Sequence, residues 1–579
     1  MASRQGAAHV VTTRRHYKGR VYTTHLLRRS YRVDGKVKNE TLGNLSHLPE
    51  HLIDMIRRSL RGEAFVAVSE SFEKVRSFHH GHIQAVRTAM ERLGLAGLIA
   101  SRRSRERDLV CAMVAARIVA PHTKLATTRW WRTTTLAEDL GVADANEDDL
   151  YAAMDWLLER QGQIEKKLAG RHLERGGLVL YDLTSSYFEG TTCPLARLGH
   201  NRDGKRGKLQ VNYGLTTDRR GCPVAVSVFE GNVADGQTLV GEVRRLREEF
   251  GIDRLVLVGD RGMISQTAIE EELGAIAGLS WITALKTGQI RTLVEGGGLQ
   301  LGLFDERNLF EFAHSDYPGE RLIACRNAEL GKLRAHKRQS LLEATTKELE
   351  KVRAMVERGR LRRRDAIGVR VGRVVNRYKV AKHFDLEIED DSFRYTVNKG
   401  RVAAEAALDG IYVIRTSLPA TKMAAAQAVR SYKSLANVER AFRSLKTVDL
   451  KVRPIHHRLA DRVRSHIFLC MLAYYVEWHM REAWRPLLFA DEEVEAKKRR
   501  DPVAPARRSA SAEEKAVTKK RTDGGPAHSF STLLQELSAI VRNVCTAPGG
   551  GEDRPTFQIL TTPNDTQRRA LDLVATIQP

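Results

Sequence analysis

Between Leu178 and Lys286 the chain's hydrophobic rhythm admits few folds. An apolar run, Leu178 to Tyr181, ends in Asp182, and a second, LVLVGD, ends in Asp260. Two further strand-like runs, LQVNYGLTTD and CPVAVSVFEGN, meet at the tight turn Asp218-Arg219-Arg220-Gly221. A helical run, GQTLVGEVRRLREEF, precedes the Asp260 strand, and WITALK follows a short helix as a fifth strand. Short β-rich runs read as strands, and three- and four-residue apolar spacing reads as helix. Three strands, a helix, a strand, a helix and a strand describe a meander continued by βα units, an α/β layer.

That order is the ribonuclease-H-like one, in which the first and fourth strands are neighbours. Asp182 and Asp260 are then expected side by side, where α/β sheets present ligands. A third acid is expected from YKSLANVERAFRSLK, which reads as one helix with Leu435, Val438, Phe442 and Leu445 at helical spacing. Tyr432, Glu439 and Lys446 recur every seven residues. Seven residues are nearly two turns, so a phenol, a carboxylate and an ammonium project from one side, with Arg440 and Arg443 beside them. The bland alternatives are a helix cap for Asp260 and an intrahelical Glu439–Arg443 pair.

The charge balance narrows the partner. Lys and Arg number 95 against 71 Asp and Glu, a formal net charge of +24. An excess of that size favours a polyanion, and phosphate contacts dominate nucleic-acid affinity. The longest strongly apolar run, Ile467 to Val476, is too short to span a bilayer, so no membrane is expected. The basic N-terminus lacks an apolar signal region. The six cysteines are scattered with no CxxC pair, which supports neither a disulfide framework nor a zinc ribbon. A reduced, cytoplasmic protein is expected.

The remaining segments divide as follows. Residues 1–62 form a basic β element expected to contact DNA, with Asp34-Gly35 as a hairpin signal. Residues 63–175 form a helical domain expected to bind DNA. Its stretch TTLAEDLGVADANEDDLYAAMDWLL resembles a helix-turn-helix, but Glu147, Asp148 and Asp149 at the second helix start suit capping better than phosphates. Residues 176–286 begin the ribonuclease-H-like core. Residues 287–428 are a β-rich insertion with a long basic helix near Lys332–Arg364, whose Leu342, Leu349 and Val356 fall at heptad spacing. Residues 429–485 close the core with a buried helix. Residues 486–528 have the composition of a flexible linker, and 529–579 are a C-terminal segment with a docking helix.

Three carboxylates converging on one place have a specific chemistry. Mg²⁺ takes hard oxygen ligands from a few carboxylates and from substrate phosphates. Two such ions about 4 Å apart activate a water or 3′-hydroxyl on one side and stabilise the leaving oxygen on the other. Asp182 in YDLTSSYFEG, Asp260 in VGDRGM and Tyr432…Glu439…Lys446 resemble the DDE transposases of bacterial insertion sequences, in particular the insertion-sequence-four superfamily. Its signature is Tyr-x2-Arg-x3-Glu-x6-Lys, and VERAFRSLKTVDLKVRPIHHRLADRVRSHIFLCMLAYY looks typical of one branch. That group also carries a β-rich insertion between the second Asp and the Glu. The resemblance covers residues 175–485 and reaches the N-terminal helical region more loosely.

The resemblance implies an enzyme that nicks DNA at the ends of its own element and joins the 3′-ends to a target by phosphoryl transfer, without a covalent protein–DNA intermediate. It implies Asp182, Asp260 and Glu439 as catalytic metal ligands, Asp182 bridging two Mg²⁺ ions, with Mn²⁺ as a substitute. Tyr432, Arg440, Arg443 and Lys446 would contact DNA. The partners would be terminal inverted repeats and target DNA, with a homodimer in the synaptic complex and a bacterial, nucleoid-associated location. The alternatives are a ribonuclease-H-like nuclease that does not join and a catalytically silent DNA-binding protein derived from a transposase. One position departs: the signature's Arg falls on Leu435. Two decoys are set aside. Gly199-x4-Gly204-Lys205 has Arg206 where a phosphate loop needs Ser or Thr, so a basic loop near DNA is expected. His79, His80 and His82 are expected to be solvent-exposed rather than metal-bound.

Overall fold

The computed structural model describes residues 6–33, 35–63, 65, 72–546 and 556–579; Asp34 of the expected hairpin signal lies outside them. The strands in chain order are β1 (Ala8–Tyr17), β2 (Arg20–Val33), β3 (Lys36–Asn44), β4 (Glu73–His79), β5 (Leu178–Tyr187), β6 (Gln210–Asp218), β7 (Pro223–Glu230), β8 (Leu255–Val258), β9 (Leu279–Ala284), β10 (Leu309–Phe312), β11 (Arg321–Arg326), β12 (Phe384–Ile388), β13 (Phe393–Val397), β14 (Ile411–Thr416), β15 (Val541–Thr546) and β16 (Thr556–Leu560). The chain divides into two compact units, residues 1–77 with 543–560, and residues 78–542 with 561–579.

In the first unit β1, β2 and β3 form an antiparallel sheet in that order. Val33 pairs with Lys36, and Gly35 just before it has φ +77°, the left-handed conformation that favours glycine. A helix, Glu50–Ser59, follows and buries Ile53.

The second unit is built on an eight-stranded mixed sheet in the order β10-β11-β14-β9-β8-β5-β6-β7. β5, β6 and β7 are an antiparallel meander, and β5, β8 and β9 run parallel. The helix Asp235–Glu248 links the two sets and buries Leu239, Val243 and Leu246. The long helix Ala460–Ala483 is buried from Ser465 to Met480 and packs on β7 and on the helices Arg105–Val119 and Glu147–Leu158. Its all-round apolar surface is that of a core helix. Glu147–Leu158 starts with a capping box in which Asn146 and Asp149 bond each other's backbone, so its acidic start serves the helix. Among the described residues no single helix is long and apolar enough to cross a membrane.

The strands of the 287–428 insertion extend the sheet, since β14 pairs with β9, and β11 and β10 continue outward. The long basic helix ends at Glu357, not Arg364, and turns back as a second helix, Arg364–Tyr378. Leu342, Leu349, Val352 and Val356 pack against Ile367, Val371 and Val375 and against Phe384 and Phe393 of the β12–β13 hairpin. The heptad seam is closed inside the chain, so it is not free to build a dimer.

Residues 486–528 also differ from a flexible linker. They carry the helices Val494–Arg499 and Ala510–Thr518. Val503 is buried, and its carbonyl accepts from Asn327 Nδ2 at 2.8 Å. The buried Lys515 ammonium reaches the carbonyls of Pro486 and Leu488 and pairs with Glu492. A few polar anchors to backbone carbonyls order this stretch, and apolar periodicity cannot reveal them.

Candidate active site

The parallel register of β5 and β8 sets the first two acids. Leu178, Val179 and Leu180 pair with Val256, Leu257 and Val258. Two residues beyond the last pair on each chain segment stand Asp182 and Asp260. β8 stops at Val258, whereas β5 runs on beside β6 until Tyr187 pairs with Gln210. Asp182 therefore sits in mid-strand, and the expected strand end exists only on the β8 side. Asp182 Oδ1 accepts from the Leu183 N–H at 2.8 Å. Asp260 Oδ1 accepts from the N–H groups of Gly262 and Met263, both at 2.8 Å. Asp260 holds a turn rather than a helix start, since Ser265 caps the helix that follows, and both bonds use one carboxylate oxygen.

The expected single helix is broken. Ala425–Lys433 carries Tyr432, Ser434 interrupts, Leu435–Arg443 carries Glu439, and Ser444–Val448 is a π-turn that carries Lys446. The wider turn shifts Lys446 out of the seven-residue phase. Leu435, Val438, Ala441 and Phe442 bury one face, with the Phe442 ring edge-on to Tyr213 of β6 at 5.9 Å. The same helix packs on β5. Glu439, Arg440 and Arg443 are exposed on the other side. Arg443 lies one turn beyond Glu439, on its face; Arg440 is turned about 100° from it. Among the described residues Glu439 makes no ion pair with Arg443 within 4.0 Å.

Electrostatics join the three acids. Burial pushes the Asp182 carboxyl up to about 7, and the charges of Asp260 and Glu439 push the same way, against the Leu183 N–H and Arg202. Burial raises the Tyr432 phenol to about 12, with Asp260, Glu439 and Asp182 contributing. The ligand atoms of Asp182, Asp260 and Glu439 do not all lie within 4.8 Å of one another.

A stability prediction follows from the raised Asp182. Between its ordinary carboxylate range and about 7 the folded protein holds a proton that the unfolded chain has lost. This group therefore stabilises the fold at lower pH, and the contribution disappears as pH rises through 7. Without divalent metal, Asp182→Asn is expected to raise Tm by roughly 1–2 °C at pH 8 and by nothing measurable at about pH 4, where the unfolded carboxyl is itself half protonated. Differential scanning calorimetry at the two pH values checks it.

Lys446 does not stand free for a phosphate. It is 9% exposed, and its Nζ lies 3.0 Å from Asp203 Oδ1. Arg453 pairs with the same oxygen, and Asp203 Oδ2 accepts from the Tyr187 N–H at 3.0 Å. Burial holds the Lys446 ammonium below its usual range although Asp203 opposes this. The 199–208 loop set aside as a phosphate-loop mimic is thus tied to the end of β5, and its Arg202 donates to Asp235 at 2.5 Å. Sequence reasoning missed Arg202 and Asp203. The Asn201-Arg202-Asp203-Gly204 pattern signals a turn, but nothing local says that Asp203 turns inward.

Ser444 anchors the π-turn, its hydroxyl lying 2.7 Å from Glu477 Oε1 and 2.9 Å from Asp449 Oδ2, with Arg481 on both acids. Leu435, where the signature has Arg, is 9% exposed in the main core. Leu435→Arg is therefore expected to cost about 2–4 kcal/mol without adding activity, read by thermal unfolding beside a cleavage assay. His79 is exposed, but His80 and His82 are buried, contrary to expectation. His80 Nδ1 lies 2.9 Å from Thr135 Oγ1, and burial lowers His82 to about 3.

Comparison with known proteins agrees with this site in extent. A family model described as the transposase DDE domain matches residues 178–476, and one described as the IS1634 family transposase N-terminal domain matches residues 10–68. No curated protein matches. Among solved structures, a piggyBac transposase synaptic complex with hairpin DNA is similar at 8% identity over 81% of each chain, with a TM-score of 0.33. At that score the likeness carries no argument.

Proposed function

The chain belongs to the transposase DDE domain family, and from that premise we propose that Asp182, Asp260 and Glu439 are its catalytic metal ligands. As a DDE transposase it is a metal-dependent enzyme that cleaves DNA and transfers strands. The observation that carries the assignment is the shared position of Asp182 and Asp260 two residues past the β5–β8 pairing, with the charge of Glu439 acting on Asp182. The strand order β7-β6-β5-β8-β9, with β5 first in the chain, supports a ribonuclease-H-like core.

The donor set fits two Mg²⁺ ions, with Mn²⁺ as a substitute: three carboxylates, one of them driven toward its neutral form by burial and by the charges of the other two. Bound there, the ions would supply an activated water or 3′-hydroxyl and stabilisation of the leaving oxygen. The protein's own groups do the rest. Asp182, Asp260 and Glu439 would hold the ions between them. Tyr432 borders the acids and donates toward a phosphate oxygen. Arg443, on the Glu439 face, and Arg440 hold the backbone. Lys446, already paired with Asp203, meets a phosphate only as that pair opens, so its first role is to position the β5 loop.

The substrates on this reading are terminal inverted repeats and target DNA, brought together by a homodimer. Residues 1–62 and 63–175 bind DNA, residues 176–286 and 429–485 make the catalytic core, and residues 287–428 are its insertion. The test is Mg²⁺-dependent nicking and joining of DNA carrying the gene's own flanking ends. Nicked and joined products are expected from the wild type and neither from Asp260→Asn; unimpaired products from Asp260→Asn would overturn the assignment.

A further inference from the structure

Among the described residues one trio of soft-metal ligand types converges, and it uses none of the three acids. The donor atoms of His172, Cys222 and His479 lie within 4.8 Å of one another. His172 ends the helix Gln161–His172, Cys222 immediately precedes β7, and His479 lies near the end of the long core helix. Three segments far apart in sequence thus meet at one point.

The surroundings orient these ligands. Cys222 is 0% exposed and unpaired by any disulfide, and its N–H donates to Asp218 Oδ1 at 2.9 Å, which fixes the turn that presents it. His479, 6% exposed, has Nδ1 2.9 Å from the Tyr475 carbonyl. A carbonyl only accepts, so Nδ1 carries the proton and Nε2 keeps its lone pair. Metal-binding histidines are commonly held in this way. His172 Nε2 lies 3.0 Å from the Tyr475 hydroxyl, and the two imidazole rings are 5.7 Å apart. One residue, Tyr475, therefore holds both rings.

A thiolate with two imidazoles selects against Mg²⁺ and for a borderline-soft ion, and Zn²⁺ takes such sets tetrahedrally. Zinc bonds of about 2.0–2.3 Å bring donors closer together than 4.8 Å, a contraction that rotation of the side chains can supply. We propose that His172, Cys222 and His479 form a Zn²⁺ site that ties the helical region before β5 to the sheet and to the long core helix, with water in the fourth position. Binding displaces the thiol proton, so one sulfur–zinc bond forms and one proton leaves to solvent.

The test uses the full chain, purified without chelator and dialysed against Mg²⁺ buffer, with zinc per chain measured by mass spectrometry. One zinc per chain is expected in the wild type and in Asp182→Asn, and less than a tenth of that in Cys222→Ser. Replacement by Co²⁺ is expected to give a sulfur-to-cobalt charge-transfer band in the wild type that is absent from Cys222→Ser. A metal-free wild type that takes up Co²⁺ without that band would overturn the site, as would Cys222→Ser retaining the zinc. Should Cys222→Ser not fold, the wild-type zinc content and cobalt spectrum decide alone.

Discussion

Glu439→Gln is expected to lower DNA cleavage and joining by about 10³-fold while leaving binding of the element-end DNA within about twofold. The size follows from removing charge stabilisation aimed at the reacting phosphate, where one lost group costs about 10²–10³ and a lost metal ligand sits at the upper end. The selectivity follows from where Glu439 stands. It is exposed on a helix whose opposite face carries the packing, and among the described residues it makes no ion pair. The amide has nearly the same shape, so folding is unaffected and Tm stays within about 1 °C. Single-turnover cleavage with excess enzyme, beside a gel-shift titration, separates the two effects. Activity near wild type would remove Glu439 from the site.

Glu320→Ala is the second large effect, on stability rather than chemistry. Glu320 just before β11 and Arg415 in β14 face each other where the insertion strands join β9, with side chains only 4% and 2% exposed. Arg415 Nε donates to Glu320 Oε2 at 2.7 Å and a second nitrogen pairs with Oε1, while Arg415 Nη1 donates to Gln266 at 2.7 Å. Trp281 Nε1 donates to the same acid at 3.3 Å, and the guanidinium lies 4.8 Å from the Tyr317 ring centre. Removing the acid alone strands a buried guanidinium, which costs about 3–5 kcal/mol. Replacing both partners with apolar residues, Glu320→Leu with Arg415→Met, is expected to recover most of the loss. Thermal unfolding of the single and double variants measures it, and additive losses would refute the pairing.

The parts legible in the sequence were those that local pattern encodes. Strand runs and their order gave the five strands β5 to β9, because alternation and turn chemistry are read within ten residues. The apolar spacing around Val438 and Phe442 gave the buried face of the Glu439 helix and left Glu439 outside. The π-turn at Ser444–Val448 was not legible, since Ser444 is held by Glu477, 33 positions further along the chain. Lys446 was read as a free point charge because Asp203 lies 243 positions away from it in sequence. The heptad leucines of the insertion helix were legible as a seam but not as one closed internally, because periodicity marks a face and not its partner. His172, Cys222 and His479 have no common spacing at all; only folding brings them together.

The measurement that most directly tests the central claim is strand transfer by the full chain on DNA bearing the gene's own ends, run with Mg²⁺, with Mn²⁺, and with chelator. Nicks at the element boundary and joined 3′-ends with either ion, none with chelator, and none from Asp182→Asn are predicted. DNA binding with no cleavage under any of these conditions would contradict the account and leave a silent DNA-binding protein in its place.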